Sequence, residues 1–288
     1  MDYRLTEGFP MISIPNSKEE TLHSKDNTII SYRTIGTGPA VIVIPGALAL
    51  AKDFDKFAYE LSHHFTVHTI DRRGRAESGP RGEDYSIIKE CEDIEALREQ
   101  TQAKYIFGHS FGGFIALEAA RNNKYIQKVA VYEPGVSIDQ SVDMNWASEC
   151  ETQLSQQKYL DAFISFAQGI NPETTGKAPR WLLKIILPIA IKKAERQQKY
   201  HLLAGTILEH GEAARLDNTY ENYQEIGADV LLISGKDGNA TGAGRSVSHL
   251  ATVVPSAKME LFPKLDHFGP EKKPKEVAKS VSSFFLGI

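Results

Sequence analysis

Gly108-His109-Ser110-Phe111-Gly112 sets a serine between two glycines at the end of a short apolar run, Lys104-Tyr105-Ile106-Phe107. An amphipathic stretch from Phe114 through Ala120 follows. The order reads as strand, sharp turn, helix. Such a turn holds a serine hydroxyl up and exposed, in a strained backbone position that only small neighbours permit. The N–H groups that open the helix point back at the same spot, where an oxyanion could form. G-x-S-x-G is short and recurs by chance, but between a strand and a helix it points to nucleophilic catalysis. Serine is a poor nucleophile at neutral pH, so a base must lie within hydrogen-bond reach.

The elements around the turn decide whether such a base can be brought to it. Thr28 to Ile35 alternates apolar and polar residues and ends at the turn cluster Gly36-Thr37-Gly38-Pro39. Ala40 to Ile44 is a continuous β-branched run, suited to a strand buried on both faces. Lys52 to His64 has helical spacing at Phe54, Phe57, Ala58 and Leu61. Phe65 to Ile70 reads as a strand, and Tyr85 to Glu99 as a helix. Val129 to Tyr132 is the strand after the serine turn. Strands joined by helices predict a mostly parallel sheet covered on both sides.

From about Gly135 to about Ile226 the alternation stops and helices are predicted over Lys158–Gln168, Trp181–Ala194 and Arg196–Leu216, with Pro188 a kink candidate. Strands at Asp229–Ser234 and Met259–Phe262 then alternate with helices at Arg245–Val253 and Lys275–Phe285. The simplest account is one α/β core, 1–135 and 227–288, interrupted by a helical insertion at 136–226.

Composition sets the outer bounds. The chain has 288 residues, 41% hydrophobic and 24% charged, as expected of a globular protein with a sizeable core. Net charge is −4 with no long basic stripe, which argues against a nucleic-acid partner. Lys192-Lys193 and Lys272-Lys273-Pro274-Lys275 read as solvated faces. Cys91 and Cys150 lack C-x-x-C spacing and read as free thiols of a reducing compartment. Met1 to Ser17 shows no signal-peptide pattern, and no segment has the apolar length of a membrane span. A cytoplasmic protein without stable membrane insertion is expected.

With these elements in place, the chain resembles the α/β-hydrolase fold family, in its cap-bearing serine hydrolase branch. Beside the serine turn, Pro45-Gly46-Ala47 follows the third strand, and Asp71-Arg72-Arg73-Gly74-Arg75-Ala76-Glu77-Ser78 follows the fourth. The latter looks like the family's D-x-R-G-x-G-x-S loop. An acid and a histidine follow the late strands in the family order. The resemblance implies an eight-stranded, mostly parallel sheet, helices on both faces, and a helical cap after strand 6.

It also implies roles. Ser110 would be the nucleophile. His267, in the loop past Phe262, would be the base, whereas His249 falls within a helix and reads as structural. Asp237, after Ser234-Gly235-Lys236, stands at the family's usual position for the acid, although Asp237-Gly238 is also an ordinary turn pair. Glu133, at the end of the sixth strand in Tyr132-Glu133-Pro134, is the alternative acid. Asp266 should point away from its neighbour His267. The oxyanion donors would be the backbone N–H groups of Ala47 and Phe111. Asp71 and Arg73 read as braces of their loop. Ala76 replaces a usual Gly, so a positive φ is not expected there.

A serine at the turn argues against the branches that use an aspartate, and for an acyl-enzyme. The expectation is a carboxylesterase cleaving a small or medium apolar ester, with no cofactor or metal and a small-molecule substrate. A C–C bond hydrolase, a lyase or an acyltransferase on the same triad is the alternative within enzymes. A small-molecule receptor that turns over slowly or not at all is the alternative outside them. The insertion's apolar residues, including Trp146, Phe163, Phe166 and Trp181–Leu187, read as cap core and seam; lining of a substrate pocket and contact with a membrane are the other readings.

Overall fold

The computed structural model describes residues 17–173, 175–236 and 242–288. One sheet runs through it. Its strands are β1 (Lys18–His23), β2 (Ile29–Ile35), β3 (Ala40–Ile44), β4 (Thr66–Asp71), β5 (Tyr105–His109), β6 (Lys128–Tyr132), β7 (Asp229–Gly235) and β8 (Ala257–Phe262). Their order is β1-β2-β4-β3-β5-β6-β7-β8. The first two pairings are antiparallel and the rest parallel. The carboxyl ends of β3, β5, β6 and β7 therefore come together at one edge, where open α/β sheets place their sites.

Alternation within each strand divides the core. Ile42, Ile44, Ile106, Val129, Val131, Val230 and Leu232 face one layer. That layer holds α2 (Ile87–Thr101), α3 (Phe111–Ala120) and α8 (Gly242–Val253). Val41, Val43, Phe107, Ala130, Leu231 and Ile233 face the other, formed by α1 (Asp55–Leu61) and α10 (Pro274–Leu286). Both faces are thus covered, as the uninterrupted apolar strands require.

Between β6 and β7 lie α4 (Ala147–Ser155), α5 (Tyr159–Ile170), α6 (Arg180–Ala190) and α7 (Lys193–Arg215). They share an apolar cluster of their own, with Trp146, Cys150, Phe163, Phe166, Leu203 and Ile207. Leu48, from the loop after β3, joins that cluster. The short α9 (Gly269–Lys272) precedes α10. No described helix is long and apolar enough to cross a membrane.

The expected helix over Trp181–Ala194 is corrected in its length. Pro188 lies inside α6, where it has no N–H for the ladder, and the helix ends at Ala190. Arg196 of α7 reaches back, donating from Nη1 to the carbonyls of Pro188 (2.7 Å) and Ile191 (3.1 Å). The expectation for Ala76 is also corrected: its φ is +45°. The turn around it is closed by Gly74 N–H to Gly79 O (2.6 Å) and Ser78 N–H to Arg75 O (2.9 Å), which holds a conformation that costs a non-glycine residue of order 1 kcal/mol.

The loop after β4 also carries buried charge. Asp71 Oδ1 accepts from Ala51 N–H at 2.8 Å, and Arg73 donates two bonds to Asp93, at 2.8 and 2.7 Å. Three further arginines converge on Glu209 of α7. Its Oε1 lies 2.5 Å from Arg72, 2.6 Å from Arg75 and 2.8 Å from Arg81. Gly205, one turn earlier on α7, leaves room for Arg81, whose guanidinium a Cβ there would strike. One carboxylate thus joins the helical segment to the core. Removing one partner from a buried ionic group leaves the others uncompensated. Glu209→Gln should therefore lower stability by about 3–5 kcal/mol, read from urea unfolding at neutral pH.

At the serine turn the limit is space. A Cβ on Gly112 would collide with the carbonyl oxygen of Ile44, and one on Gly108 with that of Gly112. Gly112→Ala should cost about 2–3 kcal/mol in the same assay. Gly227→Ala is the control: nothing lies within 4 Å of a Cβ there. It should be neutral, or stabilise by about 1 kcal/mol at most.

Candidate active site

Ser110 caps the N-terminus of α3 with φ 54° and ψ −122°. For a non-glycine residue this is a strained conformation, held by its surroundings. Ser110 N–H donates to Tyr132 O on β6 at 3.0 Å. Its carbonyl accepts from Gly113 (2.8 Å), Phe114 (3.1 Å) and Gly135 (2.9 Å). In a trans peptide the carbonyl and the following N–H point in opposite directions. Three donors on Ser110 O therefore turn Phe111 N–H the other way. As the first residue of α3, Phe111 has no intrahelical acceptor for that N–H.

The second expected donor, Ala47, is fixed by the same device. Arg75 Nη1 donates to Gly46 O at 2.8 Å and to Ala49 O at 2.5 Å. Pinning Gly46 O orients the Gly46–Ala47 peptide and turns Ala47 N–H away from Arg75. Gly46 itself packs on the serine, where a Cβ would come within 3.0 Å of Ser110 Cβ. Leu48 follows with φ 57°. Arg72 lies over the Phe111 ring, 4.9 Å from its centroid. Sequence reasoning gave Arg72 and Arg75 no role. Their signal was there in the Arg-rich loop, but its partner on α7 is over a hundred residues away.

His267 lies between β8 and α9. Its Nδ1 is 2.6 Å from Glu133 Oε2. Glu133 is almost fully buried, and its other oxygen accepts from Gly235 N–H at 2.8 Å. Its φ of 43° carries the side chain off the end of β6. With Nδ1 engaged, Nε2 is the ring nitrogen left to act as a base. Asp237 lies outside the described residues. Asp266 turns elsewhere, accepting from Lys272 Nζ (2.6 Å) and Phe268 N–H (3.0 Å). His249 lies in α8 and meets the Tyr220 ring edge-on.

The loop that carries His267 is held from beneath. His109 Nε2 donates to His267 O at 2.7 Å, Tyr132 Oη to Asp266 O at 2.8 Å, and Lys236 N–H to Leu265 O at 2.6 Å. Burial, reinforced by the nearby His267, depresses His109 to about 3, so it stays neutral and keeps the Nε2–H this bond needs. His109 is a supporting residue that sequence reasoning passed over, although it is the variable residue of G-x-S-x-G. Among the described residues, no group of three or more His, Cys, Asp or Glu is placed to hold a metal.

Residues 41–280 match the alpha/beta hydrolase family. The uncharacterized hydrolase YraK of Bacillus subtilis is 30% identical over 110 residues, which are 36% of this chain and 41% of YraK, so the match spans about two fifths of that relative. A pimeloyl-acyl-carrier-protein methyl ester esterase of Nitrosomonas europaea is 23% identical over 248 residues, 83% of this chain and 92% of that protein. The crystal structure of an alpha/beta hydrolase from Sphaerobacter thermophilus superposes with a TM-score of 0.76 at 24% identity, covering 92% of this chain and all of that one. With the matched residues running from β3 into α10, the chain belongs to the alpha/beta hydrolase family.

Proposed function

We propose that this hydrolase is a serine carboxylesterase that cleaves small or medium apolar esters through an acyl-enzyme on Ser110. The observation that carries the reading is the His267–Glu133 pair at 2.6 Å, in a chain that also holds a serine at φ 54° in the turn from β5 to α3. In this scheme His267 Nε2 takes the Ser110 proton as Oγ bonds to the ester carbonyl carbon. Glu133 fixes the tautomer and stabilises the imidazolium. The Ala47 and Phe111 N–H groups hold the oxyanion. The carbon–oxygen bond to the alcohol breaks as His267 returns the proton to it. Water, deprotonated by His267, then releases the acid and restores Ser110.

The esterase of Nitrosomonas europaea, similar over most of both chains, supports an ester as the scissile group. Residues 136–226 would serve as the cap, with the Trp146–Ile207 cluster shaping the acyl side of the site.

Two measurements test the reading. A fluorophosphonate should label Ser110, identified by peptide mass spectrometry, and Ser110→Ala should abolish the label while the protein stays folded. Retained labelling or retained esterase rate in that variant would remove Ser110 from the chemistry. For the acid, Glu133→Gln should lower kcat on a nitrophenyl ester by roughly 10³–10⁴-fold, because an amide cannot stabilise the imidazolium. Asp237→Asn should cost far less. The reverse order would move the acid to Asp237.

A further inference from the structure

Helix α6 has two apolar faces, and only one of them is used. Leu183 is buried and Leu187 packs against the cluster of the helical segment. On the outward side Trp181 is 65% exposed, Ile185 55%, Ile186 45% and Ile189 80%. Trp181, Ile185 and Ile189 recur every four residues, so they form one stripe, with Ile186 beside it. Four large apolar side chains in one exposed patch on an eleven-residue helix mark an interaction surface.

The charge around the stripe indicates what the surface meets. From Lys177 to Lys199 the chain carries seven Lys and Arg and one acid, Glu195; Lys177, Arg180, Lys184 and Lys199 pair with acids of the chain, which leaves Lys192 and Lys193 beside the stripe as the charges that face outward. Lys184 is exposed on α6 itself, and Lys192 and Lys193 are exposed just past its end. Lys184 and Arg180 also reach the neighbouring Asp161, at 2.7 and 3.7 Å, which seats the inner edge of the helix on α5. A second copy meeting this face across a two-fold axis would bring in a further pair of lysines, Lys192 and Lys193, and no acid, because α6 carries none. A sheet of anionic headgroups would instead complement them. A lone tryptophan with isoleucines, rimmed by lysines, matches a helix lying in the interface plane.

We infer that the outward face of α6 docks the protein on the surface of an anionic phospholipid bilayer, with Trp181, Ile185 and Ile189 entering the headgroup boundary and Lys192 and Lys193 pairing with lipid charge. The attachment is peripheral. It would hold the helical segment against the membrane and leave Ser110 on the core edge beneath it.

The test is vesicle co-sedimentation of the full chain, with phosphatidylcholine alone and with phosphatidylglycerol added. Binding should require the anionic lipid and weaken in about 0.5 M salt. Tryptophan emission should shift to the blue on binding, because Trp146 is already buried and Trp181 is not. Ile185→Asp with Ile189→Asp should reduce partitioning at least roughly tenfold, and Lys192→Glu with Lys193→Glu should remove the anionic preference. Circular dichroism and hydrolysis of a water-soluble ester should be unchanged in both variants. Absence of binding to anionic vesicles, binding untouched by the aspartates, or a dimer in sedimentation equilibrium that Ile189→Asp dissociates would each overturn the inference. The vesicle readout does not depend on catalysis, so it stands or falls apart from the esterase reading.

Discussion

The structure depends on a backbone crossing in which no side chain fits. The end of β3 passes directly under the start of α3, with the Ile44 carbonyl against Gly112 and Gly46 against Ser110. Any Cβ at Gly112 would push the helix off the sheet. Because it is absent, α3 can begin with Ser110 alone between it and β5, and Ser110 takes the sharp turn. The strain at Ser110 is maintained by β6 on one side, through Tyr132 O, and by α3 and Gly135 on the other. Leu48, after β3, and Glu133, after β6, also have positive φ at this edge of the sheet.

Much of this was legible because periodicity and steric need coincide. The run Ala40–Ile44 fixes both the bounds and the burial of β3, and the glycines of Gly108–Gly112 have steric reasons that sequence alone exposes. Elements with weak contrast were not. β1 is an edge strand with a single buried residue, Leu22, and α4 buries only Cys150, so neither has a clear apolar period. Ala76 shows the opposite failure: a residue rule pointed away from positive φ, and hydrogen bonds across the turn override it.

The acid of the candidate site divides along the same line. Asp237, which lies outside the described residues, is the acid that the family resemblance implies. Glu133 is singled out by a conformation, since φ 43° before Pro134 swings its carboxylate toward the β7 end, where Gly235 N–H receives one oxygen and His267 the other. A Cβ at Gly235 would come within 3.0 Å of the Glu133 carboxylate oxygen. The pairing therefore needs a glycine at 235 as well as an acid at 133, a coupling across about a hundred residues that local patterns do not reveal.

The buried arginines extend this logic to the helical segment. Desolvating three guanidiniums and a carboxylate is costly, and the attraction among them offsets that cost only in part, so net stability is a poor reason for their presence. Geometry is a better one. Arg75 binds Glu209 through one terminal nitrogen and the carbonyls of Gly46 and Ala49 through the other. Because a guanidinium is planar and rigid, the position of α7 and the plane of the Gly46–Ala47 peptide are set together. A displacement of α7 that carried Glu209 away would free Arg75 to turn, and Ala47 N–H would lose its fixed direction. The direction of that N–H at the serine is thus tied, through one side chain, to how the helical segment sits on the core.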